Sequence, residues 1–156
     1  MNTARVRTWL PGLLLALLAM PAAGEALSRE QLDAWLTSYG TAWESRSADR
    51  AVKLFTADAT YQDNPYDPPH EGHKGIHDYW SGVTANQRNV EFDYEVIAVS
   101  GSTGIAHWTA EFDVEPSKAH LSLNGVFVLE FDAGGKCRQL REWWHLKTAD
   151  AGAQTQ

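Results

Sequence analysis

The sequence contains a single cysteine, Cys137, among its 156 residues. One cysteine cannot form a disulfide within the chain, so the fold must be held by its core rather than by cross-links. Basic residues are also scarce, because 13 lysines and arginines stand against 20 aspartates and glutamates, for a net charge of −7. This acidity argues against nucleic acids and anionic membrane surfaces as partners.

Long apolar runs are absent apart from one near the start of the chain, from Trp9 to Met20. Arg5 and Arg7 precede this run and small residues follow it at 22–24. The pattern is typical of a signal peptide covering residues 1–24. A helix of about 12 residues spans only ~18 Å, which is too short to cross a ~30 Å bilayer core. We therefore expect a secreted or periplasmic protein with no membrane contact after cleavage.

Tryptophan, in contrast, is abundant, at seven residues. Ser28 and Gln31 form a capping-box sequence, and the apolar positions after them recur with helical spacing: Leu32, Trp35, Leu36, Tyr39 and Trp43. This stripe predicts an amphipathic helix. Two further helices are predicted, one after Ser47 and one from about Gly75 to Thr84.

Beyond Asn86 apolar residues recur at every second position instead of every third or fourth, which indicates strands. The predicted strands are Val90–Val99, Gly104–Val114, His120–Phe131 and Cys137–Leu146, with a shorter one before them at Ala59–Gln62. On the second of the long strands, the polar row of His107, Thr109 and Glu111 suits a solvated outer face or a dimer interface. Helices followed by an antiparallel meander predict an α+β domain over residues 27–147. A polar tail follows at 148–156.

A proline-rich loop separates the short strand from the third helix. Pro65, Pro68 and Pro69 exclude both a helix and an inner strand there. The stretch from Tyr61 to Trp80 is also rich in aromatic, carboxylate and imidazole side chains. We expect this loop to lie against the last strand and to enclose an apolar pocket with ionisable groups at its rim.

Four groups of residues resemble the SnoaL-like branch of the nuclear transport factor 2 superfamily: Tyr39–Glu44, Leu54–Tyr61, Gly72 with Gly75–Ile76 and Tyr79–Trp80, and Gly135–Cys137 with Arg141–His145. The resemblance implies a cone in which a curved antiparallel sheet wraps around three N-terminal helices, with a pocket at the mouth. It also implies a homodimer formed through the sheet. SnoaL-like enzymes often carry a catalytic Asp near the end of the last strand, where this chain has His145.

The sequence also predicts which residues line the pocket. A small apolar or aromatic organic molecule is expected to contact a set of mainly aromatic side chains: Tyr61, Tyr66, Trp80, Trp108, Arg141 and Trp143. Histidine is the usual general base in enzymes, and His145 is the predicted one here. Asp63 is predicted to orient His145 or to hold a water molecule.

Three functions are open, because members of this superfamily differ widely in activity. The first is an exported pocket protein that binds a small molecule, with or without catalysis. The second is an isomerase, cyclase or hydrolase that uses His145 and Asp63. The third is a dimeric, non-catalytic interaction module, in which side chains would fill the interior of the cone.

A metal site is the remaining alternative. His70, His73 and His77, with Glu71 and Asp67 nearby, offer nitrogen and oxygen ligands of the kind that Zn²⁺ accepts. A glycine separates the first two histidines, however, and the third falls on the first turn of a predicted helix. We therefore expect neither a metal nor another cofactor.

Overall fold

The computed structural model describes residues 26–148. Helix α1 covers Arg29–Glu44 and begins with the predicted capping box. The Ser28 hydroxyl accepts a hydrogen bond from the Gln31 backbone N–H, and the Gln31 side chain accepts one from the Ser28 N–H. This arrangement satisfies two donors that the first turn would otherwise leave unpaired. The predicted signal peptide and the tail from residue 149 onward lie outside the described residues.

Two more helices follow, α2 at Ala48–Val52 and α3 at Gly72–Thr84. Helix α3 starts earlier than predicted, because Gly72 adopts a φ of +63° that turns the chain directly into the helix. No helix within residues 26–148 is long and apolar enough to cross a membrane.

The six strands within the described residues form one curved, unclosed sheet. They are β1 (Phe55–Gln62), β2 (His70–Glu71), β3 (Gln87–Ser100), β4 (Thr103–Val114), β5 (Ala119–Phe131) and β6 (Cys137–Thr148). The order across the sheet is β2-β1-β6-β5-β4-β3. Strands β3 to β6 form the predicted antiparallel meander, and β1 joins it by pairing parallel to β6. The predicted α+β cone is confirmed.

The prediction for the start of the sheet was wrong. The first strand was predicted to begin at Ala59, whereas β1 already begins at Phe55, which pairs with Cys137. A register shift between Phe55 and Thr60 breaks the alternation that marks a strand in a sequence. Strand β2 was not predicted, because two residues are too few to show the alternation of apolar and polar side chains that marks a strand.

The core between the helices and the sheet is largely aromatic. Tyr39 and Trp43 of α1 pack on Trp80 of α3, with ring centroids 5.2 and 5.8 Å apart. Trp108 of β4 continues the cluster, 5.7 Å from Trp43 and 5.1 Å from Phe127. These five rings are buried, and the functional site lies against this aromatic core.

Candidate functional site

The parallel pairing of β1 with β6 brings the proline loop to the last strand. Gln62, the last residue of β1, pairs with Arg141. The next residues along the two strands, Asp63 and Glu142, therefore lie at neighbouring positions. The expectation that the loop and the final strand meet is confirmed, and the meeting point carries two carboxyl groups.

A cavity of about 290 Å³ opens beside these two residues. Most of its wall is apolar and comes from α1, α3 and the sheet: Trp43, Trp80, Val83, Trp108, Phe112, Leu121, Leu123, Trp144 and Leu146. The polar part of the wall consists of Tyr39, Tyr61, Asp63, Tyr79, Gln87 and Glu142. An apolar cleft with a few convergent polar groups is the usual form of a small-molecule site.

Glu142 is the most unusual group in this wall, because it is a glutamate with only 5% of its surface exposed. Its Oε1 accepts a hydrogen bond from the Tyr61 hydroxyl at 3.0 Å, and that hydroxyl lies 2.8 Å from the hydroxyl of Tyr39. Among residues 26–148, Tyr61 is the hydrogen-bond partner of this carboxyl group. Glu142 lines the cavity, so the carboxyl group forms part of its wall.

The surroundings of Glu142 change its acidity. Burial raises the pKa of Glu142 from an ordinary 4.5 to about 8, the Tyr61 hydrogen bond opposes the rise, and the nearby charge of Asp63 adds to it. Glu142 is therefore mostly protonated at neutral pH, and it gains or loses its proton within the physiological range.

Three phenols surround the carboxyl group and remain protonated. Burial, and next the charge of Glu142, raise the pKa of Tyr39, Tyr61 and Tyr79 well above 10. Tyr79 stacks on the imidazole of His70, with centroids 4.4 Å apart. Tyr79 and Tyr61 are thus hydrogen-bond donors held at fixed positions in the cavity wall.

Asp63 and Gln87 complete the polar groups. His70 Nε2 lies 3.3 Å from Asp63 Oδ1, so the imidazole holds this carboxylate at the mouth of the cavity. At the other side, Trp43 Nε1 donates to Gln87 Oε1 at 2.7 Å. Because the indole N–H can only donate, it fixes the amide orientation and leaves the Gln87 amino group as a donor.

The comparisons with known proteins agree with this architecture. The family model of the SnoaL-like domain matches residues 25–140. The chain belongs to the SnoaL-like family. The match ends two positions before Glu142, so the buried glutamate lies just beyond the matched segment. No protein of curated function matches this SnoaL-like chain.

Solved structures show the same fold. The epoxide hydrolase/cyclase-like enzyme SalBIII, described for pyran ring formation in the polyether salinomycin, has a TM-score of 0.68 and 20% identity. The match covers 79% of the SnoaL-like chain and 100% of SalBIII. A Δ5-3-ketosteroid isomerase from Mycobacterium sp. has a TM-score of 0.65 and 16% identity, over 76% of this chain and 98% of the isomerase. At these identities the likeness establishes the fold alone.

The structure of the SnoaL-like domain places four predicted site residues together on the cavity wall. They are Tyr61, Asp63, Trp80 and Trp108. Whether they contact a ligand stays a prediction, as does the catalytic role of Asp63.

The prediction that four other residues line this cavity was wrong. Arg141, Trp143 and His145 alternate with Glu142 along β6 and point to the outer face of the sheet. Tyr66 is 94% exposed, because the proline loop turns it outward and its backbone N–H donates to Asn64 Oδ1. His145 therefore does not reach the cavity as a general base. Glu142, which the sequence analysis did not identify, faces the cavity from that strand instead.

The histidines of the proline loop and α3 have separate partners. His73 Nε2 lies 3.0 Å from the carbonyl oxygen of Phe55, while His77 Nε2 lies 3.3 Å from Asp49 Oδ1. His70 contacts Asp63 instead. In the part of the chain that the structure describes, no group of three or more His, Cys, Asp and Glu residues is placed to hold a metal ion.

Proposed function

We propose that this SnoaL-like domain binds an apolar small molecule in its cavity and rearranges it by proton transfer, with Glu142 as the acid and Asp63 as the base. The observation that carries the proposal is the buried Glu142 carboxyl, which Tyr61 holds in the wall of a mostly apolar cavity. A carboxyl with a pKa of about 8 retains a proton that it can donate at neutral pH.

The proposed step needs one proton donor and one acceptor. Glu142 donates its proton to an oxygen of the substrate, such as a carbonyl or ether oxygen. Asp63, directly or through a water molecule, removes a proton from a carbon or hydroxyl group of the same molecule. The product is an isomer of the substrate, and the proton on Asp63 returns to Glu142 through solvent.

Tyr79 supports this chemistry from the cavity wall. Its pKa is raised by burial, so the phenol stays protonated and can donate to an oxygen that becomes negative during the reaction. Tyr61 has a different task, because its hydroxyl already donates to Glu142. Tyr61 is therefore a positioning residue, and Tyr79 is the candidate oxyanion donor.

The reaction class agrees with the activities of proteins that share the fold. One is an isomerase that acts on a ketosteroid and another is a cyclase-like enzyme that forms a pyran ring. Isomerisation and ring closure are both reactions within one molecule. The open cavity also disfavours a purely non-catalytic interaction module, for which a filled cone was expected. Export through the segment at residues 1–24 remains part of the proposal.

Hydrogen exchange at carbon provides a test that needs no knowledge of the natural substrate. A panel of apolar cyclic ketones, beginning with 1-tetralone, is incubated with the protein in D₂O, and deuterium incorporation beside the carbonyl group is followed by mass spectrometry. We predict that the wild-type protein accelerates incorporation for at least one ketone. Glu142→Gln should lower that rate by about 100-fold or more, the usual contribution of a general acid or base.

A matched substitution serves as the control. Glu95→Gln makes the same chemical change at an exposed position on β3, and it should leave the exchange rate unchanged. Equal rates in the wild-type and Glu142→Gln proteins would contradict the assignment of Glu142. If no ketone exchanges faster than in buffer, the proposed catalysis is wrong.

A further inference from the structure

A second space, of about 400 Å³, lies outside the cavity between the proline loop and the end of β6. We call it the outer recess, and the cavity beside Glu142 the inner cavity. The loop contributes Asp63 and Asp67 to its wall, and β6 contributes Trp143, Trp144 and His145. The outer recess therefore has the carboxylate of Asp67 in addition to the two carboxyl groups that it shares with the inner cavity.

The two spaces adjoin each other. Asp63, Glu142 and Trp144 border both of them. Pairing of β6 with β1 ends at Arg141, so within residues 26–148 no strand covers this side of β6 further along. Trp144, one of the shared side chains, is 41% exposed. The outer recess is therefore the neighbouring space into which a ligand longer than the inner cavity would extend.

The chemistry of the outer recess favours a cation. Two indoles, Trp143 and Trp144, border the space and are 48% and 41% exposed. Asp67 accepts a hydrogen bond from Asn64 Nδ2 at 2.5 Å, a contact that leaves its negative charge in place. No lysine or arginine of the described residues borders the space. Carboxylates together with exposed indole faces are the groups that bind organic ammonium ions, and they repel carboxylates and phosphates.

We infer that the outer recess holds the positively charged amine group of an elongated ligand whose apolar body fills the inner cavity. The inference rests on the proposed function, because it takes the inner cavity to be a binding site. It adds the substrate class, which is an amine attached to an apolar ring system or chain. The reacting atoms would then lie between the two spaces, beside Glu142 and Asp63.

Binding of such a ligand should also move a proton. Glu142 is mostly protonated at pH 7 in the free protein, and a cation held nearby stabilises its ionised form. The three phenols around it stay protonated, and the other ionisable side chains nearby are Asp63, which His70 contacts, and His145, which borders the outer recess. An amine should therefore release up to about one proton when it binds at pH 7, whereas a neutral ligand should release none.

A matched ligand series tests the inference. The probes are 2-(2-naphthyl)ethylamine, 2-(2-naphthyl)ethanol and 2-naphthylacetic acid, which share one apolar body and differ in the end group. Their affinities are measured by calorimetry at low salt. We predict that the amine binds about tenfold more tightly than the alcohol, and that the acid binds most weakly. Calorimetry in two buffers with different ionisation enthalpies should show proton release for the amine alone.

Two substitutions locate the amine. Asp67→Asn should weaken amine binding about threefold, as expected for an exposed charge pair, and leave alcohol binding unchanged. Asp58→Asn changes an exposed carboxylate on β1 that borders neither space, and it should affect neither probe. Glu142→Gln should abolish the proton release.

The outcomes separate the two proposals. If the alcohol binds as tightly as the amine, the inference about the outer recess is wrong and the inner cavity remains a binding site. If the amine is preferred but Asp67→Asn does not weaken it, the assigned position of the charge is wrong. If none of the three probes binds, the proposed function of the inner cavity is contradicted as well.

Discussion

Glu142 is held where an ionised carboxylate is costly. An unfolded glutamate ionises near pH 4.5, whereas burial keeps the proton on Glu142 up to a pKa of about 8. Between these two values the folded protein binds more protons than the unfolded chain. The contribution of Glu142 to the free energy of unfolding is therefore largest at or below pH 4.5. This contribution falls as the pH rises toward 8.

We predict that the wild-type protein loses on the order of 3 kcal/mol of stability from Glu142 between pH 5 and pH 8. Urea denaturation at several pH values measures the loss. The Glu142→Gln protein cannot ionise at this position and should lack that part of the pH dependence. Glu95→Gln, at an exposed position, should keep it. The same pH slope in the wild-type and Glu142→Gln proteins would show that Glu142 is ionised, or solvated, in the folded state.

The sequence pattern did not identify Glu142, because alternation shows that a strand has two faces but does not show which face points toward the helices. Trp143 and Trp144 lie on opposite faces, so neither indole indicates the inner side. A charged residue in a strand is most often exposed, and Glu142 was therefore not considered as a wall residue. One signal in the sequence did indicate the inner side: Leu140 and Leu146 lie on the same face of β6 as Glu142.

At the level of strands, the approach of β4 and β5 depends on Gly125. A Cβ atom at this position would lie 2.7 Å from the backbone oxygen of Trp143 and 2.8 Å from the ring of Trp108. Neither neighbour can yield easily, because one is backbone and the other is a buried ring that lines the cavity. The missing side chain thus allows Trp108 to occupy its place in the wall.

We predict that Gly125→Ala lowers the free energy of unfolding by about 1–3 kcal/mol, the usual cost of overpacking a core. Thermal unfolding and near-ultraviolet circular dichroism measure the loss of stability and the movement of the Trp108 ring. Gly82→Ala is the matched control, because a Cβ atom there meets nothing within 4 Å. It lies in α3 and should stabilise the protein by about 0.5–1 kcal/mol. A neutral Gly125→Ala variant would contradict the packing argument.

The long elements were predictable because their side chains repeat over many residues. The stripe of α1 and the alternation in β3 to β6 are examples, and the resemblance to a known family added the cone. The bulge in β1 was not predictable, since it interrupts the only signal that a strand leaves in a sequence. The parallel pairing of β1 with β6 has no local signature either. That pairing sets Asp63 beside Glu142, so the candidate site was found only in part.

At the scale of the whole molecule, the outer face of the sheet has an apolar centre. Ile105 pairs with Val128, and Val126 lies beside them opposite His107. All four side chains are half-buried and point away from the helices. Acidic residues surround this centre on β3, at Glu91, Asp93 and Glu95. A face of this kind suits the sheet-to-sheet homodimer that we propose, with apolar contacts in the middle and polar residues at the rim.

We predict that the purified protein is a dimer at micromolar concentration, measured by size-exclusion chromatography with light scattering. Val126→Asp should produce a folded monomer, because it places one charge of the same sign on each side of the interface. Ala34→Asp introduces the same charge at an exposed position of α1 and should leave the dimer intact. Circular dichroism establishes that both variants are folded. Since the outer face lies on the opposite side of the sheet from the inner cavity, the Val126→Asp monomer should still bind 2-(2-naphthyl)ethanol, the neutral probe. A monomeric wild-type protein, or a Val126→Asp dimer, would show that this face is not the interface.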